Sequence, residues 1–170
     1  MSNAQKVITY NPIFIGKEFS VSIKGLSPIL QFHAEKFFKE KMQQIKEVAQ
    51  QNLTKNGSVR YGDLKAAIEP KAYINTKDNF VWAGVGIDRK YFNIHGKRAK
   101  GKRKGEYIKQ IPVKYAHLVE AGFTHLPDGS KVEGKPFLRP AVNQCGGDNG
   151  IKREITDTLK QVIKEYGITQ

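Results

Sequence analysis

One cysteine, one tryptophan and two methionines occur among 170 residues. The lone Cys145 excludes an internal disulfide and any zinc or iron–sulfur site built from several thiolates, and its plain reading is a buried thiol. Long apolar runs are missing too. The longest, Phe80 to Ile87, falls well short of the roughly 20 residues that a membrane-spanning helix needs. The opening Met1-Ser2-Asn3-Ala4 has neither the basic start nor the apolar core of a secretion signal; it reads as an expression scar ahead of a single domain over 5–170, with the cytoplasm as the expected setting. Acidic side chains are scarce, 16 against 29 Lys and Arg, leaving a net charge of +13. Apolar residues are adequate at 39%, enough to build one core at this length, so wholesale disorder is not expected.

Much of the excess charge is local. Lys97, Arg98, Lys100, Lys102, Arg103 and Lys104 place six cations in eight residues, spaced by Ala99 and Gly101. Mutual repulsion and the glycines at 96, 101 and 105 predict a mobile, solvated basic loop at 95–105 whose field attracts polyanions. DNA, RNA, anionic lipid and an acidic protein face all fit that field. The loop has no interleaved aromatics of the kind that stack on unpaired bases.

Hydrophobic periodicity predicts both strands and helices. Phe19, Val21 and Ile23 alternate with polar residues, the pattern of a strand with one buried face. Ser27 then offers an N-cap with Pro28 in the first helical turn. Apolar residues recur at Leu30, Ala34, Phe37, Phe38, Met42, Ile45, Val48, Ala49 and Leu53, which predicts a long amphipathic helix. After Asn56-Gly57-Ser58, the stretch Tyr61 to Ile68 reads as one or two helical turns stopped before Pro70. Strands are expected at 71–76 and 80–87, joined by the turn Lys77-Asp78-Asn79; Gly84 and Gly86 in the second mark a close approach or a bulge. Val113 to Ala121 reads as a short helix that Gly122 ends in a left-handed conformation. A last helix carries Ile151, Ile155, Leu159, Val162 and Tyr166, with Asp148 or Asn149 as its cap, Gly167 at its end and Ile168 folding back.

Candidate reactive groups do not assemble into a constellation. His33 lies in the long helix, His95 borders the basic loop, and a turn separates His117 from His125. His117 and Glu120 share a helical face at i,i+3, the one spacing that suggests a metal ligand pair, with His125 as a third. No HExxH, nucleophile motif or paired-acid cluster is present, so neither an enzyme nor a cofactor site is expected. Gly84-Val85-Gly86 lacks the third glycine of a dinucleotide loop.

Two blocks in the second half carry a signature. Tyr115-Ala116-His117-Leu118-Val119-Glu120-Ala121-Gly122 is followed, after a short polar loop, by Pro136-Phe137-Leu138-Arg139-Pro140-Ala141. Together they resemble the "YAxxVExG" and "PFLRPA" segments of the tail-component, or neck, family of long-tailed bacteriophages, the gene-product-ten-like family. The resemblance spans about 25–166. Its distinctive positions are Tyr115, Val119, Glu120, Gly122, Pro136, Phe137, Leu138, Arg139 and Pro140. It departs from the family at Ala121-Gly122-Phe123-Thr124, where many relatives run aromatic, glycine, threonine, and the basic loop looks like an insertion. The resemblance implies an α+β domain, a small mostly antiparallel sheet packed against a long amphipathic helix with a C-terminal helix. It further implies a structural part of the head–tail junction, assembled in the host cytoplasm and then carried in the virion. Its implied partners are other connector and tail proteins and further copies of itself in a ring, with DNA a candidate contact of the loop. Within the blocks, Glu120 and Arg139 are the expected ion pair, since a guanidinium grips a carboxylate through two parallel hydrogen bonds.

Overall fold

The computed structural model describes residues 16–57, 62–124 and 127–168. The tetrapeptide at the start, Tyr61 and His125 lie outside them. In chain order the elements are β1 (Gly16–Ser22), α1 (Pro28–Lys55), α2 (Asp63–Ala66), β2 (Ile68–Asn75), β3 (Phe80–Ile87), β4 (Asn93–Lys97), β5 (Tyr107–Gln110), α3 (Ala116–Ala121), β6 (Gly122–Thr124), β7 (Lys131–Glu133), α4 (Leu138–Gln144) and α5 (Gly147–Tyr166). The fold is α+β, as the family resemblance implied.

The main sheet is antiparallel in the order β1-β3-β2. Strand alternation places Phe19, Val81, Ala83, Val85 and Ile87 on the face that meets α1, where all are buried. From α1 come Leu30, Ala34, Phe38, Met42, Ile45, Ala49 and Leu53, most of the predicted stripe, all at or below 1% exposure. Each large side chain buried this fully contributes about 1.5–3 kcal/mol. Ser27 caps α1 and Pro28 occupies its first turn, as the sequence indicated. α4 and α5 pack on α1, and the ion pairs Lys17–Asp148 (2.7 Å) and Lys41–Glu154 (2.5 Å) tie α5 to β1 and α1.

The outer face of the sheet carries an aromatic pair, Tyr73 and Trp82, with ring centroids 5.2 Å apart. The pairing of β3 runs unbroken through Gly84 and Gly86, so no bulge occurs there. Gly84 instead makes room for the indole two residues before it. A Cβ at 84 would sit 2.8 Å from Trp82 Cη2.

Five local expectations are corrected. The helical turns before Pro70 shrink to α2, and Ile68 already begins β2; Pro70 is tolerated inside β2 because that strand is an edge, where a missing N–H donor goes unnoticed. The helix over 113–121 divides into a 3-10 turn at Pro112–Lys114 and α3. Gly122 ends α3 at φ 79°, ψ 176°, an extended conformation at positive φ and not the left-handed helical one. α5 starts at Gly147 with Gly146 as its N-cap, ahead of Asp148 and Asn149. Lastly, the basic segment is not a structureless loop: it closes a hairpin. At the other end, Gly167 is left-handed and Ile168 N donates to Ile163 O, as expected.

Candidate functional site

The two signature blocks close on each other through Glu120. Its side chain leaves the last turn of α3 and points at the start of α4, where no local side chain caps the helix. Oε2 accepts the N–H groups of Phe137 (2.8 Å) and Leu138 (3.0 Å), and Oε1 accepts that of Arg139 (3.0 Å). A carboxylate there satisfies three orphan donors and also meets the positive end of the helix. At the end of α1, Asn56 Nδ2 donates to Pro136 O (3.0 Å) and Asn52 Nδ2 to Phe137 O (3.1 Å). Phe137 and Leu138 are thereby fixed in the core at 0% and 4% exposure, while Pro140 sits in the first turn of α4. The expected guanidinium–carboxylate pair does not form: Glu120 binds the main chain of Arg139, whose side chain is exposed. A buried carboxylate surrounded by converging N–H groups has no need of the arginine.

Between the blocks, β6 and β7 form a tight ribbon. Gly122 and Gly134 touch there. A Cβ on Gly122 would fall 2.5 Å from both Gly134 N and Val132 O, and one on Gly134 would fall 2.6 Å from Ala121 C and 2.7 Å from Glu120 O. Lys135 N then donates to Val119 O at 2.7 Å, which seats the returning chain against α3.

A second buried acid lies at the root of the basic segment. Asp63, 3% exposed, opens α2 behind the positive-φ Gly62. Its Oδ1 accepts from Asn93 Nδ2 (3.0 Å) and weakly from Tyr91 Oη (3.4 Å), and its Oδ2 is 2.5 Å from His95 Nε2. Tyr115, the first signature residue, is partly buried within reach of the same negative charge. Burial first, then the charges of Asp63 and Tyr91, raise its pKa to about 12 from the ordinary 10.0. Below the lower value both folded and unfolded chains keep the phenol proton; between the two the unfolded chain has lost it and the fold still holds it. Stability should therefore fall as pH rises from 10.0 to about 12, and urea unfolding of Tyr115→Phe should show a shallower decline than the parent. Equal slopes would mean that the phenol does not couple to folding.

β4 and β5 form a hairpin separate from the main sheet. Two residues, His95 and Gly96, lie opposite Ile108 alone, and Gly96 has φ 69°. Such a bulge bends the ribbon, and here it accompanies the contact of His95 with Asp63. Beyond it, Arg98 N donates to Glu106 O and Gly105 N to Arg98 O, both at 2.9 Å, and Lys104 N closes a turn on Gly101 O at 3.0 Å. All six cations of 97–104 are exposed. Arg103 pairs with Glu106 at 2.6 Å, and Lys97 Nζ lies 5.0 Å above the Tyr107 ring.

The remaining candidates do not gather into a ligand set among the described residues. Both Glu120 oxygens are engaged with backbone, which removes the carboxylate from any metal site with His117; His117 is exposed. His33 contacts the Tyr166 ring at 5.9 Å. Cys145 is buried, and burial pushes its thiol pKa up, so it is a poor nucleophile. A cavity of about 420 Å³ lies beside β1, α4 and the start of α5, with Leu138 and Val142 among its walls and Lys17, Arg139 and Asp148 supplying charge. Asp63, Asn52 and Asn56 escaped sequence reasoning, being single polar residues without a local pattern. A signal for Glu120 did exist: Pro136-Phe137 offers α4 no cap of its own. Among the described residues no helix is long and apolar enough to cross a membrane. No protein family, curated protein or solved structure matches this chain.

Proposed function

We propose that this chain is a structural virion protein of a tailed phage or prophage, completing the head–tail junction by ring-like association with its own copies and with adjacent connector and tail proteins. The observation that carries the reading is the Glu120 clamp. The two blocks that resemble the neck family meet in one device, in which Glu120 of α3 holds the main chain at the first turn of α4. Glu120, Asn52 and Asn56 all hold backbone there, which suits a part that works by shape and not by chemistry. Contacts repeated around a ring multiply weak interfaces, so ordered assembly needs no tight pairwise affinity. The protein would then act in the host cytoplasm during assembly and afterwards within the virion.

The test is electron microscopy of an induced lysate with the gene disrupted and then restored. Filled heads separated from free tails, rejoined on restoration, is the expected outcome; infectious, intact particles without the gene would reject the reading. A second reading, a nucleic-acid-binding accessory protein, is favoured by one observation, the six exposed cations carried at the tip of a hairpin.

A further inference from the structure

We infer that the β4–β5 hairpin is a grip for double-stranded DNA, binding its phosphates without reading sequence and aimed from the body of the protein by Asp63. The inference rests on the polyanion-binding reading of the basic segment and names its ligand and its positioning residue.

Charge comes first. Residues 93–110 hold Lys97, Arg98, Lys100, Lys102, Arg103, Lys104 and Lys109 against the single acid Glu106, which is already engaged by Arg103. So dense a run calls for a ligand of matching density, and a duplex presents one charge per about 1.7 Å of its axis. Shape narrows the choice. A two-stranded ribbon fits the B-DNA major groove, about 12 Å wide, whereas the corresponding groove of duplex RNA is deep and narrow. Single strands are gripped by stacking bases on bare aromatic faces, and among the cations the hairpin has only Tyr107, with Lys97 over one face; the exposed Phe92 precedes β4 at the opposite end from the cationic tip.

Asp63 supplies the aim. A carboxylate in a chain of high positive charge reduces its attraction for DNA, yet this one is buried and receives Asn93 and His95 from β4. Its contribution is to set the direction of the ribbon. Backbone hydrogen bonds through the tip keep the cations on a defined ribbon.

The test is fluorescence anisotropy with a short blunt duplex of arbitrary sequence, titrated across a salt series, beside the single strand, the RNA duplex and polyglutamate. The DNA duplex should bind tightest, with log K falling against log salt at a slope of about −5 if six phosphates are engaged. Changing Lys102, Arg103 and Lys104 together to Gln should lower that slope by about three units in magnitude. Asp63→Asn separates aim from charge: it makes the protein more positive, so an unaimed charge cluster predicts tighter binding, whereas loss of aim predicts a roughly tenfold weakening. Asn93→Ala, which alters no charge, should weaken binding in the same direction if Asp63→Asn proves poorly folded by circular dichroism.

Equal binding of all four polyanions, or an unchanged slope in the triple variant, would overturn the grip; Asp63→Asn and Asn93→Ala both binding at least as tightly as the parent would overturn the aim. Failure here stays distinguishable from failure of the neck reading, because heads and tails that separate when the gene is disrupted report assembly whether or not the purified chain holds DNA.

Discussion

Glu120→Ala should remove about 3–4 kcal/mol of stability, a large effect for one side chain and more than an ordinary lost cap of about 0.5–2 kcal/mol. Three N–H groups bond to this one carboxylate, those of Phe137 and Leu138 within the core. Hydrogen bonds to a charged acceptor are worth about 1.5–3 kcal/mol each, and donors stranded in a dry site lose water as well as their partner. Glu120→Gln keeps one acceptor oxygen but turns an amide N–H toward the donors, so its loss should be intermediate. Arg139→Gln is the contrasting variant. With the guanidinium outside the clamp, it should change stability by no more than about 0.5 kcal/mol. Urea unfolding of the three proteins ranks them; Arg139→Gln as damaging as Glu120→Ala would mean that the side chains pair after all.

The second large effect is expected at the meeting of Gly122 and Gly134. Gly134→Ala must push its methyl into the main chain of 120–122, and overpacking against backbone costs about 1–3 kcal/mol because backbone cannot rotate aside. Gly122→Ala meets the same obstruction and also holds φ 79° with an extended ψ, a region almost closed to residues with a Cβ, adding about 1–3 kcal/mol. Its total should approach that of the Glu120 truncation. Because both methyls would open the same contact, the double variant should be less damaged than the two losses added together, and a double-mutant cycle measures the difference. Full additivity would show that the two glycines do not depend on each other. Either replacement also moves the residues beside Glu120, so damage here should appear as a loosened α4 as well as a lower unfolding midpoint.

Elements with a buried face could be found from the residues alone. The α1 stripe, β3 and the spacing of α5 were visible because burial against one surface imposes a period on the side chains. Hairpins with no buried face impose none. β4, β5, β6 and β7 are almost wholly solvent-facing, so their sequences look like polar loops and glycine-rich spacers. Pro70 misled in a related way: read as the stop of the preceding helical turns, it lies inside β2, where an edge strand with one neighbour tolerates the missing N–H. At the clamp the right residues were visible, but their mode of contact was not. Glu120 and Arg139 invite pairing by charge, yet the donors that reach the carboxylate are main-chain groups identical in every residue type, and only their convergence in space selects them. Asp63 was harder still, since its ligands lie 30 and 32 positions away on a hairpin that the sequence did not announce.

The single tryptophan gives this molecule a built-in optical gauge. Trp82 stands on the central strand of the main sheet, beside the cross-strand Tyr73 and over Gly84, in a sheet separate from the hairpin. Its emission therefore follows the integrity of one layer, and comparison with Tyr73→Phe isolates the share of energy transfer, among seven tyrosines, that this cross-strand pair supplies. A variant of the hairpin that leaves both signals untouched has lost a contact and not a fold.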